Sequence, residues 1–356
     1  MIMYPNILGN RLIIVQPKNT LMNFASLEEL LDKPLKTQKI RRLVQLAFFI
    51  FSIYTWWRFY LFVMHFDRGT PFVPRPQSID AYLPIGSLVA LKNWIVNGYF
   101  DRIHPAGLVI FVAIMLTAIL LRRGFCSWVC PIGTLSEWLA DAGKRIFGRN
   151  FVIKGKADIA LRSIKYLILL FFLNAILIGM DRYAVSAFLM SPYWAVADAK
   201  LLDFWLKPGT LTVVVTISLV VASVFVKHFW CRYLCPYGAL LGVLAVFSPA
   251  GISREVEKCN LCRLCDKACP SHIQVSAKNM VVSEECIACF ECVNACPKNA
   301  LSMRIFRAVT PQHYLILLLA ILFGAVIIAK LTGHWDSALR YEDYAKLIPL
   351  RGYFSH

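Results

Sequence analysis

The fold is decided by two cysteine runs, C-N-L-C-R-L-C-D-K-A-C-P from Cys259 to Pro270 and C-I-A-C-F-E-C-V-N-A-C-P from Cys286 to Pro297. Both match C-x2-C-x2-C-x3-C-P. In such a run the two-residue gaps bring three thiolates to one iron–sulfur cubane, and the fourth cysteine ligates the other cluster. The spacing therefore predicts two [4Fe-4S] clusters, one held by Cys259, Cys262, Cys265 and Cys296, the other by Cys286, Cys289, Cys292 and Cys269.

Zinc sites and disulfides are the alternatives for these eight cysteines, because both can use CxxC pairs. Zinc explains neither the crossed fourth cysteine with its proline nor the repetition. The segment resembles the two-cluster ferredoxin module, which implies a small α+β domain over residues 251–307. Thiolates that receive clusters need a reducing compartment, so we predict that this domain is cytoplasmic.

The rest of the chain has the composition of a membrane protein. Of its 356 residues 58% are hydrophobic, and the formal net charge is +17. In a soluble protein this charge would suggest nucleic acid. Here the basic residues lie between apolar runs, so the predicted partner is a lipid bilayer and no nucleic acid. Five runs are candidate membrane spans: Leu43–Met64, Pro105–Leu121, Tyr166–Met180, Thr210–Val226 and Pro311–Ala329.

The predicted fold class is mainly α: a polytopic membrane helical bundle with an inserted α+β ferredoxin-like domain. The three loops on one side of the five spans hold 26 Lys and Arg residues, against 11 on the other. Such an excess marks the cytoplasmic side. We predict a cytoplasmic segment 1–42, a four-helix membrane domain 43–250, the cluster domain 251–307, a fifth helix 308–329 and a periplasmic tail 330–356, in a bacterial inner membrane.

A second set of cysteines occurs in a repeat. Cys126-x3-Cys130-Pro131-x-Gly133-x-Leu135 and Cys231-x3-Cys235-Pro236-x-Gly238-x-Leu240 agree at every fixed position. Each motif follows an apolar run, which is typical of a parallel tandem repeat about an axis along the membrane normal. On a helix, cysteines four apart share a face, and we expect the following proline to end that helix.

Three interpretations of Cys126, Cys130, Cys231 and Cys235 are open. They form one shared metal site, they are redox-active thiols that form transient disulfides, or they are packed structural cysteines. We favour the shared metal site. Thiolates suit an iron–sulfur cluster and also Cu(I), so the metal is not decided by residue type.

The combination of five spans, two CxxxCP motifs and a two-cluster ferredoxin module resembles the polytopic iron–sulfur proteins of the NapH and NosR type over residues 40–300. This resemblance implies an electron-transfer subunit of an oxidoreductase complex, passing electrons between the quinone pool and other redox subunits. The layout is also similar to that of the oxidase assembly factor CcoG, which implies a copper reductase or assembly factor. A redox-sensing regulator is the third alternative.

Two residues are candidates for a quinone site on the outer side. Arg58 is a charge inside the first apolar run, among aromatic residues, and His104 precedes the second run. A charge within a span is a functional candidate by default, and quinone carbonyls need hydrogen-bond donors. Ordinary interfacial anchoring is the alternative. We interpret His228 and His313 as capping or lipid-facing residues.

Overall fold

The fold is described from a computed structural model, which describes residues 24–354, with side chains from residue 37 onward. Part of the predicted segment 1–42 and the last two residues of the predicted tail lie outside the described residues. The helices and strands in chain order are α1 Phe24–Arg68, α2 Pro84–Asn97, α3 Pro105–Leu121, α4 Gly124–Trp128, α5 Pro131–Phe147, α6 Lys156–Leu173, α7 Arg182–Leu189, α8 Pro192–Ala195, α9 Ala197–Leu206, α10 Thr210–Phe225, α11 Pro236–Ala245, β1 Ala250–Arg254, α12 Leu264–Ala268, β2 Met280–Val281, α13 Glu291–Asn294, β3 Leu301–Ile305, β4 Arg307–Val309, α14 Pro311–Leu331 and α15 Tyr341–Leu350.

The chain is mainly helical, as predicted, and has the long apolar helices of a membrane protein. Among the described residues, three helices are long and apolar enough to cross a bilayer: Thr37–Arg68, Lys156–Ile178 and Pro311–Leu331. A fourth candidate is the pair α9 and α10, which is bent by 77°. The predicted span Pro105–Leu121 coincides with α3, a shorter apolar helix. The count of five spans stays a prediction.

Helix α3 lies at the centre of the bundle. Its residues Leu108, Phe111, Ile114 and Leu121 are all at most 3% exposed, and it packs against α2, α11 and α14. A helix that is apolar all round has to be covered on every side. The outer helices carry the opposite pattern, with exposed large apolar side chains such as Leu167 of α6 and Ile328 of α14.

The cluster domain is built on a four-stranded antiparallel sheet of order β2-β1-β3-β4. The central pair is β1 and β3, in register from Ala250 opposite Ile305 to Arg254 opposite Leu301. In the sequence, both cysteine runs lie between these two strands. The pairing of β3 with β1 therefore brings the chain back to the membrane helices after the second run. Helix α14 begins at Pro311, directly after β4 and the capping residue Thr310.

The cluster domain is docked onto the membrane helices through a continuous core. Trp128 of α4 is fully buried against Phe290 and Tyr314, and the hydroxyl of Tyr314 donates to the carbonyl of Leu121 at 2.6 Å. Gly124 lets this contact form, because a Cβ there would lie 2.0 Å from the Tyr314 hydroxyl. The ferredoxin-like domain is therefore a packed part of the molecule.

Helix α1 runs without a break across the predicted domain boundary at residue 42. Its buried Arg41 reaches Glu137 of α5 with two contacts of 2.8 and 2.6 Å, and Glu291 of α13 at 3.0 Å. The polar residues before the first apolar run thus contribute a contact to the cluster domain.

Candidate metal centres

One cavity of the cluster domain is lined by Cys269, Cys286, Cys289 and Cys292. A second is lined by Cys259, Cys262, Cys265 and Cys296. Each cavity takes three cysteines from one run and the fourth from the other, so the structure brings together the two predicted sets. Ligation of a cluster by each set stays a prediction.

The two cysteine runs share an unusual backbone. The residues on either side of the second cysteine, Leu261 and Arg263 in one run and Ala288 and Phe290 in the other, all have φ between 49° and 61°. Bulky residues rarely adopt this left-handed conformation, and such strain persists where the surrounding structure demands it. The conformation folds each run around its cavity, which supports an iron–sulfur cluster as the occupant.

The spacing of the sulfur atoms distinguishes a cluster from a single ion. In a tetrahedral thiolate site with metal–sulfur bonds of about 2.3 Å, the sulfurs are about 3.8 Å apart. Within the described part of the chain, the one group with three ligand atoms all within 4.8 Å of one another is Asp80, His104 and Asp198, and no three cysteines meet that spacing. The cysteine sets therefore fit a larger, polynuclear group better than zinc or copper.

The CxxxCP cysteines come together at a third place. Burial raises the pKa of Cys130 to about 12, and negative charge on Cys126 and Cys235 adds to the increase. For Cys231, burial raises the pKa, and the charges of the other three cysteines raise it further. Four thiols that act on one another in this way cannot all ionise without a compensating positive charge, which a metal centre supplies.

The motif residues that are not cysteines shape this place. Each proline begins a helix, α5 or α11, with the second cysteine of its motif as the N-cap. The helical turns that carry the first cysteines, Gly124–Trp128 and Trp230–Leu234, end before the prolines, as we expected. The expectation that both cysteines of a motif share one helix face was wrong, because the second cysteine lies outside that turn and caps the next helix, whose first turn suits proline. Gly133 lets α5 pass close to the preceding turn: a Cβ there would lie 2.2 Å from the carbonyl of Cys126.

The third site lies against the cluster domain. Cys126 and Cys231 line a small cavity of about 20 Å³ together with Pro270, Ser271 and Ile287. Pro270 follows the cluster ligand candidate Cys269, and Ile287 follows Cys286. The four-cysteine site and the cavity of Cys269, Cys286, Cys289 and Cys292 therefore share a wall.

Buried charges surround this shared wall. Arg123 lines the same cavity as Cys126 and contacts Glu285 at 3.3 Å. Glu285 also pairs with the fully buried Lys165 at 2.6 Å. The two cations share one carboxylate, which leaves a net positive charge beside the thiols.

Comparisons with known proteins agree with this arrangement. A family model described as a 4Fe-4S binding domain matches residues 103–150 and again residues 208–254, and one described as a 4Fe-4S dicluster domain matches residues 251–297. The putative electron transport protein YccM of Escherichia coli (strain K12) is 39% identical over 328 residues, covering 89% of this chain and 91% of that protein.

The chain belongs to the NapH/NosR type of iron–sulfur proteins. The ferredoxin-type protein NapH of Haemophilus influenzae is 29% identical over 204 residues, covering 53% of this chain and 64% of that protein. The regulatory protein NosR of Stutzerimonas stutzeri is 28% identical over 226 residues, covering 60% of this chain and 30% of that protein. No solved structure gave a match. The resemblance inferred from the motifs is confirmed, and with it an electron-transfer role through iron–sulfur clusters.

His228 of this NapH/NosR-type protein is not a lipid-facing residue. It is 8% exposed and lines the cavity that contains Cys126 and Cys231. Burial lowers its pKa to about 4, and the positive charge of Lys227 contributes in the same direction. The imidazole is therefore neutral at pH 7 beside the thiols. The sequence signal for it was its position three residues before Cys231.

His104 lies in a buried polar network on the side of the protein that we predict to be the outer side. Its Nδ1 is 2.9 Å from Asp80, and its Nε2 donates to the carbonyl of Trp194 at 2.8 Å. Arg75 contacts Asp80 and also Asp198 at 2.7 Å. The guanidinium occupies the space between the two carboxylates, so these residues form an ion-pair network without needing a metal.

The two predicted quinone residues contact adjacent positions of one segment, Arg58 at Pro74 and His104 at Arg75, whose Nη2 is 3.1 Å from the His104 Nδ1. Arg58 is half-buried, and its guanidinium contacts the carbonyl of Pro74 at 3.5 Å. Both ring nitrogens of His104 already have protein partners, so His104 has no free donor for a quinone. Along α1, Arg58 is about 26 Å from Arg41, the residue that contacts the cluster domain.

The crossed ligand sets lead to a test by iron content. We expect Cys269→Ala to lose the cluster of Cys286, Cys289 and Cys292, because its thiol lies in their cavity. Adding Cys289→Ala should then remove no further iron, whereas adding Cys262→Ala should remove the second cluster as well. Iron and sulfide analysis with EPR of the reduced proteins measures this. The opposite pattern of double variants would show that each run holds its own four-cysteine cluster.

Proposed function

We propose that this protein is a membrane-bound electron-transfer subunit of the quinol dehydrogenase type, passing electrons between the quinone pool and a partner redox protein. The observation that carries the proposal is the wall shared by the four-cysteine site and the cavity of Cys269 and Cys286. Electron transfer falls off steeply with distance, and this wall is formed by residues directly adjacent in sequence to cluster ligand candidates. The buried docking holds the two sites in fixed relation.

The four CxxxCP cysteines hold a third [4Fe-4S] cluster in this proposal. Three observations support it: the thiols act on one another, their sulfurs are spaced too widely for one ion, and a 4Fe-4S family model matches each motif segment separately. A cluster bound there would supply one-electron redox chemistry. Arg123 would provide positive charge at the Cys126 thiolate, and the buried surroundings would exclude water.

If the two motifs share one cluster, replacing the cysteines of either motif should lower the iron content by the same amount. Replacing Cys126 and Cys130 by serine should remove one cluster's iron, and replacing Cys231 and Cys235 should remove the same iron. The quadruple variant should lose no more than either double variant. Iron and sulfide counts on purified protein provide the measurement. Wild-type iron in both double variants would leave redox-active thiols as the interpretation.

The orientation proposed for this subunit has the N-terminus and all cysteines at the cytoplasmic side of the inner membrane, with α14 as the fifth span and α15 outside. The excess of basic residues supports it, and so does the outward apolar surface of α14. The segment after α14 packs beside the far end of α1, where Arg351 bonds Asp67 at 2.7 Å. This contact places the two ends of α14 at opposite ends of α1.

Reporter fusions test this orientation. A reporter that is active only in the cytoplasm should be active when fused to a chain truncated after Ser302, and inactive when fused after His356, because α14 would carry the second reporter across the membrane. A periplasmic reporter at the same two positions is the matched control and should give the reverse pattern. Cytoplasmic activity after His356 would remove α14 from the spans.

A quinol site near Arg58 fits the structure better than one at His104. Arg58 keeps most of its donors free, and Trp56, two residues earlier in α1, packs against Tyr82, with ring centroids 5.2 Å apart. Burial raises the pKa of Tyr82, and negative charge on Cys130 contributes to the increase. In this proposal the ring of Tyr82 lies between the bound quinol and the four-cysteine site and would shorten the distance that electrons have to cross.

The quinol proposal predicts a selective kinetic defect. Arg58→Leu should slow cluster reduction by a quinol analogue at least tenfold, because a donor to the quinone carbonyl is lost, while reduction by dithionite stays normal. Arg68→Leu, at the exposed end of the same helix, is the control. His104→Leu should instead lower thermal stability, since Asp80 would lose a buried partner. If quinol leaves the clusters oxidised and Cu(II) reoxidises reduced protein, the copper reductase alternative replaces this one.

A further inference from the structure

Arg122 is a buried cation without a carboxylate partner. Its side chain is 0% exposed, its Nε donates to the carbonyl of Ala250 at 2.5 Å, and its Nη1 donates to the carbonyl of Ser283 at 3.0 Å. Its Nη2 has no hydrogen-bond partner. None of the ion pairs found among the described residues includes Arg122.

The other buried arginines near the cysteines are paired. Arg41 pairs with Glu137, Arg123 with Glu285, and Arg232 with Asp158. An unpaired charge in a low-dielectric interior is strongly unfavourable unless another group compensates it. Arg122 therefore requires a negative group that is not a carboxylate.

Cys286 is the negative group that this position offers. The carbonyl of Ser283, which accepts from Nη1 of Arg122 at 3.0 Å, also accepts from the backbone N–H of Cys286 at 3.0 Å. A cluster held by four thiolates carries net negative charge, and reduction adds one more electron. Arg122 is thus placed as the counter-ion of the cluster proposed for Cys269, Cys286, Cys289 and Cys292.

The cavity of the other cluster has different surroundings. Cys262 is exposed, and Cys265 lies next to the carboxylate of Asp266. Three cations line this cavity, Arg254, Arg263 and Lys298; Arg263 and Lys298 are exposed, and Arg254, half-buried, also donates to the carbonyl of Lys278 and the side-chain oxygen of Asn279. Solvent screens the charges of these cations, so each acts on the exposed cluster more weakly than a buried cation would.

Two effects on the reduction potential of the buried cluster oppose each other. Removal from water disfavours the extra negative charge of the reduced state and lowers the potential. A cation in the same low-dielectric surroundings stabilises that charge and raises the potential, more strongly than an exposed cation would. Which effect dominates depends on Arg122, because it is the buried cation that no carboxylate neutralises.

We propose that Arg122 makes the buried cluster of Cys269, Cys286, Cys289 and Cys292 the higher-potential cluster of the ferredoxin-like domain. The first electron that enters the domain then resides on the cluster beside the membrane helices, and the exposed cluster is reduced second. Arg122 carries no electron itself; its positive charge acts on the reduction potential of the cluster. This inference rests on the crossed ligation proposed above.

Redox titration followed by EPR tests the assignment in the intact protein. In Cys262→Ala, which removes a ligand at the exposed edge of the other cluster, the ferredoxin-like domain should lose the lower-potential of its two one-electron steps and keep the higher-potential one. Survival of the lower-potential step would overturn the proposal. This variant changes a solvent-exposed residue, so the result does not depend on the tolerance of the buried site to substitution.

Substitutions that remove or keep the positive charge of residue 122 test the role of Arg122. Arg122→Gln should shift the reduction equilibrium of the buried cluster about tenfold towards the oxidised state, which is about 59 mV for one electron. Arg122→Lys keeps the charge and should keep the potential, and Arg254→Gln is the control at the other cluster. Unchanged potentials in Arg122→Gln at full iron content would overturn the inference while leaving the ligation proposal intact. Loss of iron in Arg122→Gln but not in Arg122→Lys would replace tuning by a structural role.

Discussion

Hydrogen bonds to the backbone of one cysteine loop fix the geometry on which the rest of this molecule depends. Ser127 donates to the carbonyl of Ile287 at 2.6 Å, Trp128 to that of Ala288 at 3.0 Å, and Gln38 to that of Cys289 at 3.2 Å. The left-handed residues of the loop turn their neighbours' carbonyls outwards, away from the cavity. Buried carbonyls need donors, and helices α1 and α4 supply them, so the cluster loop and the first CxxxCP motif are held as one unit.

The charges at this interface follow from the same burial. Arg41, Arg123 and Arg232 are each buried and each paired with a carboxylate from another element. Replacing one partner would leave a buried charge uncompensated, which costs far more than the pair itself contributes. The pair Arg123–Glu285 and the contact of Arg41 with Glu291 join the membrane helices to the cluster domain. Arg122 differs from these residues because, in our proposal, the thiolates supply its negative partner.

The sequence was informative where a short motif carries its own geometry. The spacing of the C-x2-C-x2-C-x3-C-P runs predicted which cysteines share a cavity, and the apolar run Pro105–Leu121 coincides with α3. The sequence was uninformative where residues in contact lie far apart along the chain. His104 meets Asp80 and Arg75 from one other segment and Trp194 from another, and no local pattern encodes that meeting. Arg41 looked like one more basic residue of a cytoplasmic loop, because its partners Glu137 and Glu291 lie about 100 and 250 positions away.

The position of Tyr314 has a consequence for biogenesis. Its ring closes the aromatic contact with Trp128 and Phe290, yet it lies in α14, which is synthesised after both cysteine runs. A chain emerging from the ribosome exposes its N-terminal elements first, so the cysteine loops leave the ribosome while this side of Trp128 is still uncovered. Helix α14 then completes the packing around Trp128, after both cysteine runs have been synthesised. The order of residues along the chain leaves an interval during synthesis in which the cysteines are accessible from the aqueous side before the aromatic contact is sealed.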